Sequence, residues 1–255
     1  MMPYAEFVRG LAFHTLRPEQ SAVGWVKTGE DRIASELADL IVPTAEAAIK
    51  ERLAAINGVT RMSSSAFGAL INYGVSCIPD DSCYLNVGIW CGYSFLAGMV
   101  GNPSKRCIGV DNFSLFAPGA KRESIHALLA GACNTWSPTS CVYEQDYAEY
   151  LTTTHTQPIG LYFYDGNHDY AHQLRGLQLA EPFFTDDAIV LVDDTNWPGP
   201  RQATLDFLAA SPHTYRMLLD QRTYKDRTHP THAAIGSTHP TFWNGIMLFQ
   251  RTAKA

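Results

Sequence analysis

The segment Tyr84-Leu-Asn-Val-Gly88-Ile-Trp-Cys-Gly92-Tyr-Ser94 is an apolar run that leads into a turn with two glycines. It predicts a strand, and the residues after it predict a helix over Tyr93–Val100 and a second strand over Arg106–Asp111. Such a strand–turn–helix unit directs backbone N–H groups toward a polar or anionic ligand group. The Gly-x-x-x-Gly spacing differs from the dinucleotide-binding fingerprint, which makes a nicotinamide cofactor less favoured. Asp111 ends the second strand, where an acid typically accepts hydrogen bonds from a ribose diol.

From Cys83 onward, predicted strands and helices alternate along the chain. The strands are Cys83–Val87, Arg106–Asp111, Cys141–Glu144, Ile159–Asp165, Ala188–Asp194, Tyr215–Leu219 and Phe242–Gln250. The helices between them are Tyr93–Val100, Ala120–Ala132, Asp146–Leu151, Tyr170–Phe184 and Pro200–Ala210. Alternation of this kind predicts an α/β fold with a mostly parallel sheet, right-handed crossovers and ligands at the carboxyl edge of the strands.

The N-terminal third has a different pattern. Residues 1–29 show no sustained period, which predicts an irregular arm that packs on the body or helps to cover the active site. Helical spacing follows over Glu30–Val42, Pro43–Ile56 and Ser63–Ile78, and Pro43 suits a first helical turn. We therefore expect two regions: residues 1–82 as an arm with helices covering the site, and residues 83–255 as the catalytic domain.

Composition narrows the class of protein. Hydrophobic residues make up 46% and charged residues 17% of the 255 residues, as is ordinary for a soluble enzyme. A formal charge of −6 argues against nucleic acid as a partner, and no apolar run approaches the roughly 18 residues that span a bilayer. The N-terminus lacks a signal-peptide pattern, and the six cysteines form no Cys-x-x-Cys pair. We expect a cytoplasmic protein with reduced thiols and no membrane partner; a homo-oligomer stays open.

Carboxylates follow two neighbouring predicted strands. Asp165 ends one strand, and Asp193 and Asp194 end the next. Oxygen ligands at this density suit a hard divalent cation, with Mg²⁺ foremost and Ca²⁺ or Mn²⁺ as alternatives. A structural interpretation is equally open, because Asp165-Gly166 is a common turn pair and Asp194 is able to cap the turn that follows.

Three strings together carry a family resemblance. Gly88-Ile-Trp-Cys-Gly-Tyr-Ser94 resembles the S-adenosylmethionine loop of the catechol-type O-methyltransferases. Asp193-Asp-Thr-Asn-Trp-Pro-Gly199 resembles the metal-binding string of the caffeoyl-coenzyme-A group, and Asp165-Gly-Asn-His-Asp-Tyr170 resembles bacterial enzymes related to macrocin O-methyltransferase. The resemblance covers about residues 83–251. It implies a class I, Rossmann-like methyltransferase fold, with a seven-stranded, mostly parallel sheet whose last strand is antiparallel.

The resemblance also implies which residues bind the cofactor S-adenosylmethionine. These are Asn86, Gly88, Gly92, Tyr93, Ser94, Asp111, Asn112, Gln145, Asp146 and Asp165. Tyr93 and Ser94 are placed to reach the methionine carboxylate, and Gln145-Asp146 to contact adenine. Asn86 departs from the family, which usually has an acid at this position to hold the methionine ammonium group.

Metal and base residues are implied in the same way. Asp165, Asp193 and Asp194 stand at the metal positions, where Asp194 replaces the Asn of the family. His168 stands three residues after Asp165, at the place of the catalytic Lys of the catechol group, and a neutral imidazole is able to accept a hydroxyl proton. His168 as a turn residue, or as a residue that supports the metal, is the alternative.

The predicted reaction is metal-assisted methyl transfer to a hydroxyl of a small molecule, such as a catechol, a sugar or a natural-product scaffold. Two rivals stay open: a metal-independent methyltransferase that uses His168 as its base, and a non-catalytic protein that binds S-adenosylmethionine. Trp197, Tyr224, His229 and Trp243 are candidates for the acceptor pocket. For His229, His232 and His239 a polar loop is favoured over a zinc site, since their loop lacks Cys and their spacing fits no closed site.

Overall fold

The computed structural model describes residues 2–13, 37, 40–116, 119–222 and 245–252. Their centre is a sheet of seven strands in the order β5-β4-β3-β6-β7-β9-β8. The strands are β3 (Cys83–Val87), β4 (Arg106–Asp111), β5 (Cys141–Glu144), β6 (Ile159–Tyr164), β7 (Phe184–Asp193), β8 (Thr214–Gln221) and β9 (Ile246–Thr252). The pairs from β5 to β7 are parallel, and β9 is antiparallel to both β7 and β8. The predicted fold class, with its antiparallel last strand, is confirmed.

The central strands are buried on both faces. Every residue of β3 and β6 is buried, as expected for apolar runs in a parallel sheet that has helices on both sides. The helices are α1 (Tyr4–Gly10), α2 (Ala48–Ala54), α3 (Ser65–Cys77), α4 (Tyr93–Met99), α5 (Ala120–Trp136), α6 (Tyr147–Glu149), α7 (Tyr170–Ala180) and α8 (Pro198–Ala210). One core lies between the sheet and α1–α5, and a second lies between the sheet and α6–α8.

The N-terminal region is more regular than predicted. Within the predicted irregular arm, α1 packs on α3: the Phe7 and Tyr73 rings stack at 4.2 Å, and the Tyr4 hydroxyl donates to Leu70 O at 3.1 Å. The end of the predicted helix Glu30–Val42 is instead a short strand, β2 (Leu40–Ile41), because it pairs with β1 (Ala12–Phe13). Residues 1, 14–36, 38 and 39 lie outside the described parts.

Several element ends also differ from prediction. The predicted helix Pro43–Ile56 is divided into a 3-10 turn at Thr44–Glu46 and α2, with Pro43 just before the turn. The predicted helix Tyr170–Phe184 ends at Ala180, because Glu181-Pro182-Phe183 forms a 3-10 turn. Strand β7 then begins four residues earlier than predicted, at Phe184 instead of Ala188.

Residues 223–244, which hold the predicted polar loop, lie outside the described residues. Tyr224, His229, His232, His239 and Trp243 all belong to that part of the chain. Within the described residues, no helix has the length and apolar character needed to cross a membrane.

Candidate functional site

A cavity of about 840 Å³ lies at the carboxyl edge of the sheet. The turns after β3, β4, β5, β6 and β7 and the loop before α3 all contribute to its wall. Among the predicted site residues, its lining includes Gly88, Tyr93, Ser94, Asp111, Asn112, Gln145, Asp146, Asp165, His168 and Asp194. Asn86, Gly92 and Asp193 are not part of the lining. The topology thus brings residues from five different turns to one place.

The turn after β3 requires glycine for steric reasons. Gly88 has φ +81°, and a Cβ atom there would lie 1.9 Å from the carbonyl oxygen of Asp165. Gly92 has φ +100°, and Trp90 between them takes φ +47°, which is uncommon for a residue with a side chain. The backbone at the end of β3 therefore lies so close to the backbone after β6 that there is no space for a side chain at position 88.

The Asp111 carboxylate holds this turn in place. Its Oδ2 accepts hydrogen bonds from Ile89 N at 2.7 Å and Trp90 N at 2.8 Å, and its Oδ1 accepts one from Phe113 N at 2.6 Å. An ionised carboxylate offers about four lone-pair positions, so one remains for a ligand hydroxyl. Asp111 is thus a structural anchor of the turn as well as the predicted ribose acceptor.

Asn86 supports the site from behind. It is fully buried, its Oδ1 accepts from Ser94 Oγ at 2.8 Å, and its Nδ2 donates to Gly88 O at 3.0 Å. In this arrangement Asn86 lies behind the cavity wall and contacts Ser94 and Gly88, which line it. The predicted direct contact with the methionine ammonium group has no counterpart in the geometry.

Asp146 and Gln145, the predicted adenine contacts, each accept hydrogen bonds from nearby residues. Asp146 Oδ1 caps α6 by accepting from Ala148 N at 2.9 Å and Glu149 N at 3.2 Å. Gln145 Oε1 accepts from Thr154 Oγ1 at 3.3 Å. Capping fixes the position of the Asp146 side chain on the cavity wall, which it lines together with Gln145.

His168 lies between two carboxylates on the cavity wall. Its Nε2 is 3.2 Å from Asp194 Oδ2 and 3.5 Å from Asp165 Oδ1. The Trp197 ring meets the imidazole edge-on, with the ring centroids 5.9 Å apart. Donation of the Nε2 hydrogen to Asp194 selects the tautomer in which Nδ1 carries the lone pair, and Nδ1 is buried with no hydrogen-bond partner among the described residues.

The acids at this edge repel one another. Burial, and then the charges of Asp193 and Asp194, raises the pKa of Asp165 well above the usual carboxyl range. Burial and the charge of Asp194 likewise raise the pKa of Asp193, although Asp193 Oδ1 accepts a hydrogen bond from Asp194 N at 2.8 Å. Protons or a bound cation would reduce this repulsion.

The donor set fits a hard divalent cation in its chemistry. All three candidate ligands are carboxylates, and Asp194 Oδ1 is buried with no described hydrogen-bond partner. As the side chains are placed, however, the described residues contain no group of three or more His, Cys, Asp or Glu that would hold a metal ion. Asp193 stays outside the cavity lining. The predicted metal centre is therefore not assembled in this arrangement.

Residues 85–195 match the model of a family described as a methyltransferase domain. The match covers less than half of the 255 residues. No curated protein matches the chain.

Solved structures agree with the fold of this methyltransferase. An O-methyltransferase from Bacillus cereus in complex with SAH is 15% identical with a TM-score of 0.52, over 86% of this chain and 97% of that chain. The O-methyltransferase TomG from Streptomyces achromogenes, involved in tomaymycin synthesis and in complex with SAM, is 15% identical with a TM-score of 0.51, over 89% and 100%. Cofactor-bound Rv0187 from MTB is 16% identical with a TM-score of 0.53, over 83% and 91%. At these identities the likeness shows the fold.

The predicted methyltransferase fold and enzyme class are thus confirmed. No finding separates the catechol-type branch from the others, and the individual site residues stay predictions. Sequence reasoning missed other residues that line the cavity of the methyltransferase: Arg61, Trp90, Leu115, Tyr147 and His172. Arg61 lies in the loop before α3, where no sequence motif indicates a site residue. Trp90 lies within the glycine turn, so its position in that motif could have identified it.

Proposed function

We propose that this methyltransferase moves the methyl group of S-adenosylmethionine to a hydroxyl of a small molecule. The observation that carries the proposal is one continuous cavity. Its wall carries both the glycine turn anchored by Asp111 and His168 beside Asp194. A donor site and a proton acceptor therefore share one space, as transfer to a hydroxyl requires. The O-methyltransferases of similar fold support this choice, since their structures hold SAM or SAH.

The cofactor end suits a cationic nucleoside. Asp111 keeps one lone-pair position for a ribose hydroxyl, and Gln145 and Asp146 stand where adenine is expected. Several carboxylates line the cavity, and their negative potential favours the positive sulfonium centre. Because the methyl group of a sulfonium is intrinsically reactive, most of the protein's contribution is to hold the two reactants in line.

The acceptor end suits proton removal. As the acceptor oxygen attacks, the new C–O bond forms while the C–S bond breaks, and S-adenosylhomocysteine leaves. The hydroxyl proton passes to Nδ1 of His168, while the Nε2 hydrogen bond to Asp194 stabilises the imidazolium that results. Nδ1 is buried in this structure, so the wall beside it has to open for the acceptor to reach it while Nε2 stays on Asp194.

A second form of the same reaction would use a divalent cation. Two observations support it: the raised pKa values of Asp165 and Asp193, and the buried Oδ1 of Asp194. A divalent cation bound by Asp165, Asp193 and Asp194 would neutralise these acids and lower the pKa of the acceptor hydroxyl. The three side chains would have to draw together from their present positions.

The test is methyl transfer from S-adenosylmethionine to a panel of catechols, other phenols and sugars. We expect turnover with at least one class of acceptor and its loss in His168→Ala. His213→Ala is the matched control, because His213 lies outside the cavity and contacts Arg251. Calorimetric binding of S-adenosylhomocysteine with no transfer to any acceptor would point to the non-catalytic binding protein.

A further inference from the structure

The cavity wall carries one strongly basic side chain that the proposed reaction does not use. Among the cavity-lining residues that the structure describes, Arg61 is the one Arg or Lys. The Asp residues of that lining are Asp111, Asp146, Asp165, Asp169 and Asp194. Arg61 is only 1% exposed, so its charge is held away from bulk water. A buried cation on a wall that also carries five acids has a strong influence on which ligand groups the cavity accepts.

Arg61 is held near the glycine turn. Its guanidinium carbon lies 4.4 Å from the centroid of the Tyr93 ring, and its Nη2 donates to Ser65 Oγ at 3.4 Å. Tyr93 is the first residue of α4 and directly follows Gly92. The guanidinium group therefore stands at the end of the cavity where the cofactor is expected, with its plane fixed by packing instead of by solvent.

The hydroxyl groups of Tyr93 and Ser94 donate their hydrogens to other protein atoms. Ser94 Oγ donates its single hydrogen to Asn86 Oδ1 at 2.8 Å, and the Tyr93 hydroxyl donates to Ser64 O at 3.3 Å. Toward a ligand, Ser94 therefore offers lone pairs, which suit an ammonium group and not a carboxylate. The predicted contact of Tyr93 and Ser94 with the methionine carboxylate needs another donor.

We propose that Arg61 binds the carboxylate of the methionine portion of S-adenosylmethionine, while Ser94 accepts from its ammonium group. This inference rests on the proposed function. An anionic carboxylate in an acid-lined cavity is repelled unless a cation accompanies it, and the planar guanidinium fork matches a carboxylate with two parallel hydrogen bonds. A carboxylate carried by the acceptor is the other source of the same chemistry.

Calorimetry with two related ligands tests the assignment. S-adenosylhomocysteine carries the amino-acid portion, and 5′-methylthioadenosine has the same adenosine and thioether without it. We expect Arg61→Gln to weaken S-adenosylhomocysteine by roughly 10–100-fold, the scale of a lost charged hydrogen bond, and to leave 5′-methylthioadenosine unchanged. Arg61→Lys, which keeps the charge, should recover part of the affinity. Arg52→Gln is the matched control, because Arg52 contacts Asn72 and does not line the cavity.

The other outcomes are distinct. Equal weakening of both ligands by Arg61→Gln would overturn the assignment, because it would make Arg61 a structural residue. Unchanged S-adenosylhomocysteine affinity, with a raised KM confined to carboxylate-bearing acceptors, would move the bound carboxylate to the acceptor and overturn the cofactor contact. Failure of the wild-type protein to bind either ligand would overturn the proposed function, and this assignment with it. Retained 5′-methylthioadenosine binding shows that a variant is folded.

Discussion

Nε2 of His168 lies 3.2 Å from Oδ2 of Asp194, within reach of a charge-assisted hydrogen bond. Asp194 takes φ +56°, a backbone conformation uncommon for residues other than glycine. Its peptide oxygen accepts from Trp197 N at 3.0 Å, which closes a turn that starts at Asp194. The turn places a carboxylate against an imidazole at some conformational cost, as is frequent at functional sites.

This pairing makes the two residues interdependent. We expect His168→Ala to lower kcat by about 10²–10⁴-fold, the usual range for a lost proton acceptor. Asp194→Asn should lower kcat less, and the double variant should be no slower than His168→Ala, because the carboxylate acts through the imidazole. Steady-state kinetics with His213→Ala as a control decide this. Independent, multiplicative losses would show that Asp194 acts on the acceptor directly.

Asp111 has two roles to separate. We expect Asp111→Ala to weaken S-adenosylhomocysteine by about 1.5–3 kcal/mol, because both a ligand hydrogen bond and the anchor of the turn are lost. Asp111→Asn should recover part of the affinity, since its amide oxygen still accepts from Ile89 N or Trp90 N. Calorimetry measures both variants. Unchanged affinity in a folded Asp111→Ala protein would exclude the ribose role.

The sequence predicted the sheet well because its signals there are local. Cys83–Val87, Arg106–Asp111 and Cys141–Glu144 have the bounds that their apolar runs indicated. Helix α1 was not predicted, because it has only seven residues and depends on contacts with Tyr73, far along the chain. Short helices are marginal alone, so tertiary packing decides them.

The candidate site was predictable only in part. The ends of parallel strands brought Asp111, Asp165 and Asp194 into one cavity, as the motifs implied. The direction of consecutive side chains was not readable: Asp193 still belongs to β7, whereas Asp194 begins the turn, so only Asp194 lines the cavity. Arg61 escaped notice because its place on the wall depends on contact with Tyr93, across the fold.

Gly88 offers a test of the turn itself. We expect Gly88→Ala to destabilise the fold by about 2–4 kcal/mol, because the new Cβ would meet Asp165 O at 1.9 Å and the backbone has φ +81°. Gly131→Ala is the matched control: no atom lies within 4 Å of its Cβ, it is in α5, and it should stabilise by about 0.5–1 kcal/mol. Urea unfolding measures both. Equal stabilities would show that the turn relaxes freely.

The buried acid Asp193 predicts a pH dependence of stability. Its pKa in the folded protein is raised, so above the ordinary carboxyl range the unfolded chain loses a proton that the folded chain keeps. Its contribution to stability is therefore present at low pH and is lost as pH rises toward the folded pKa. In metal-free buffer, Asp193→Asn should exceed wild type in Tm by roughly 3–6 °C at pH 8 and match it near pH 4. The exposed Asp186→Asn is the control; a constant Tm difference across pH would contradict this prediction.

Added cation tests the same acids from the other direction. If Asp165, Asp193 and Asp194 draw together around Mg²⁺, the ion binds the folded chain and stabilises it by about 2.7 kcal/mol at roughly 100 times its Kd. Protons compete for the same oxygens, so we expect Mg²⁺ to raise Tm more at pH 8 than at pH 6. The increase should shrink in Asp193→Asn and persist in Asp186→Asn.

EDTA should lower turnover at least about tenfold while S-adenosylhomocysteine affinity stays the same, and Mg²⁺ should restore turnover. Full turnover in EDTA together with no Tm response would leave His168, paired with Asp194, as the base of a metal-independent methyltransferase.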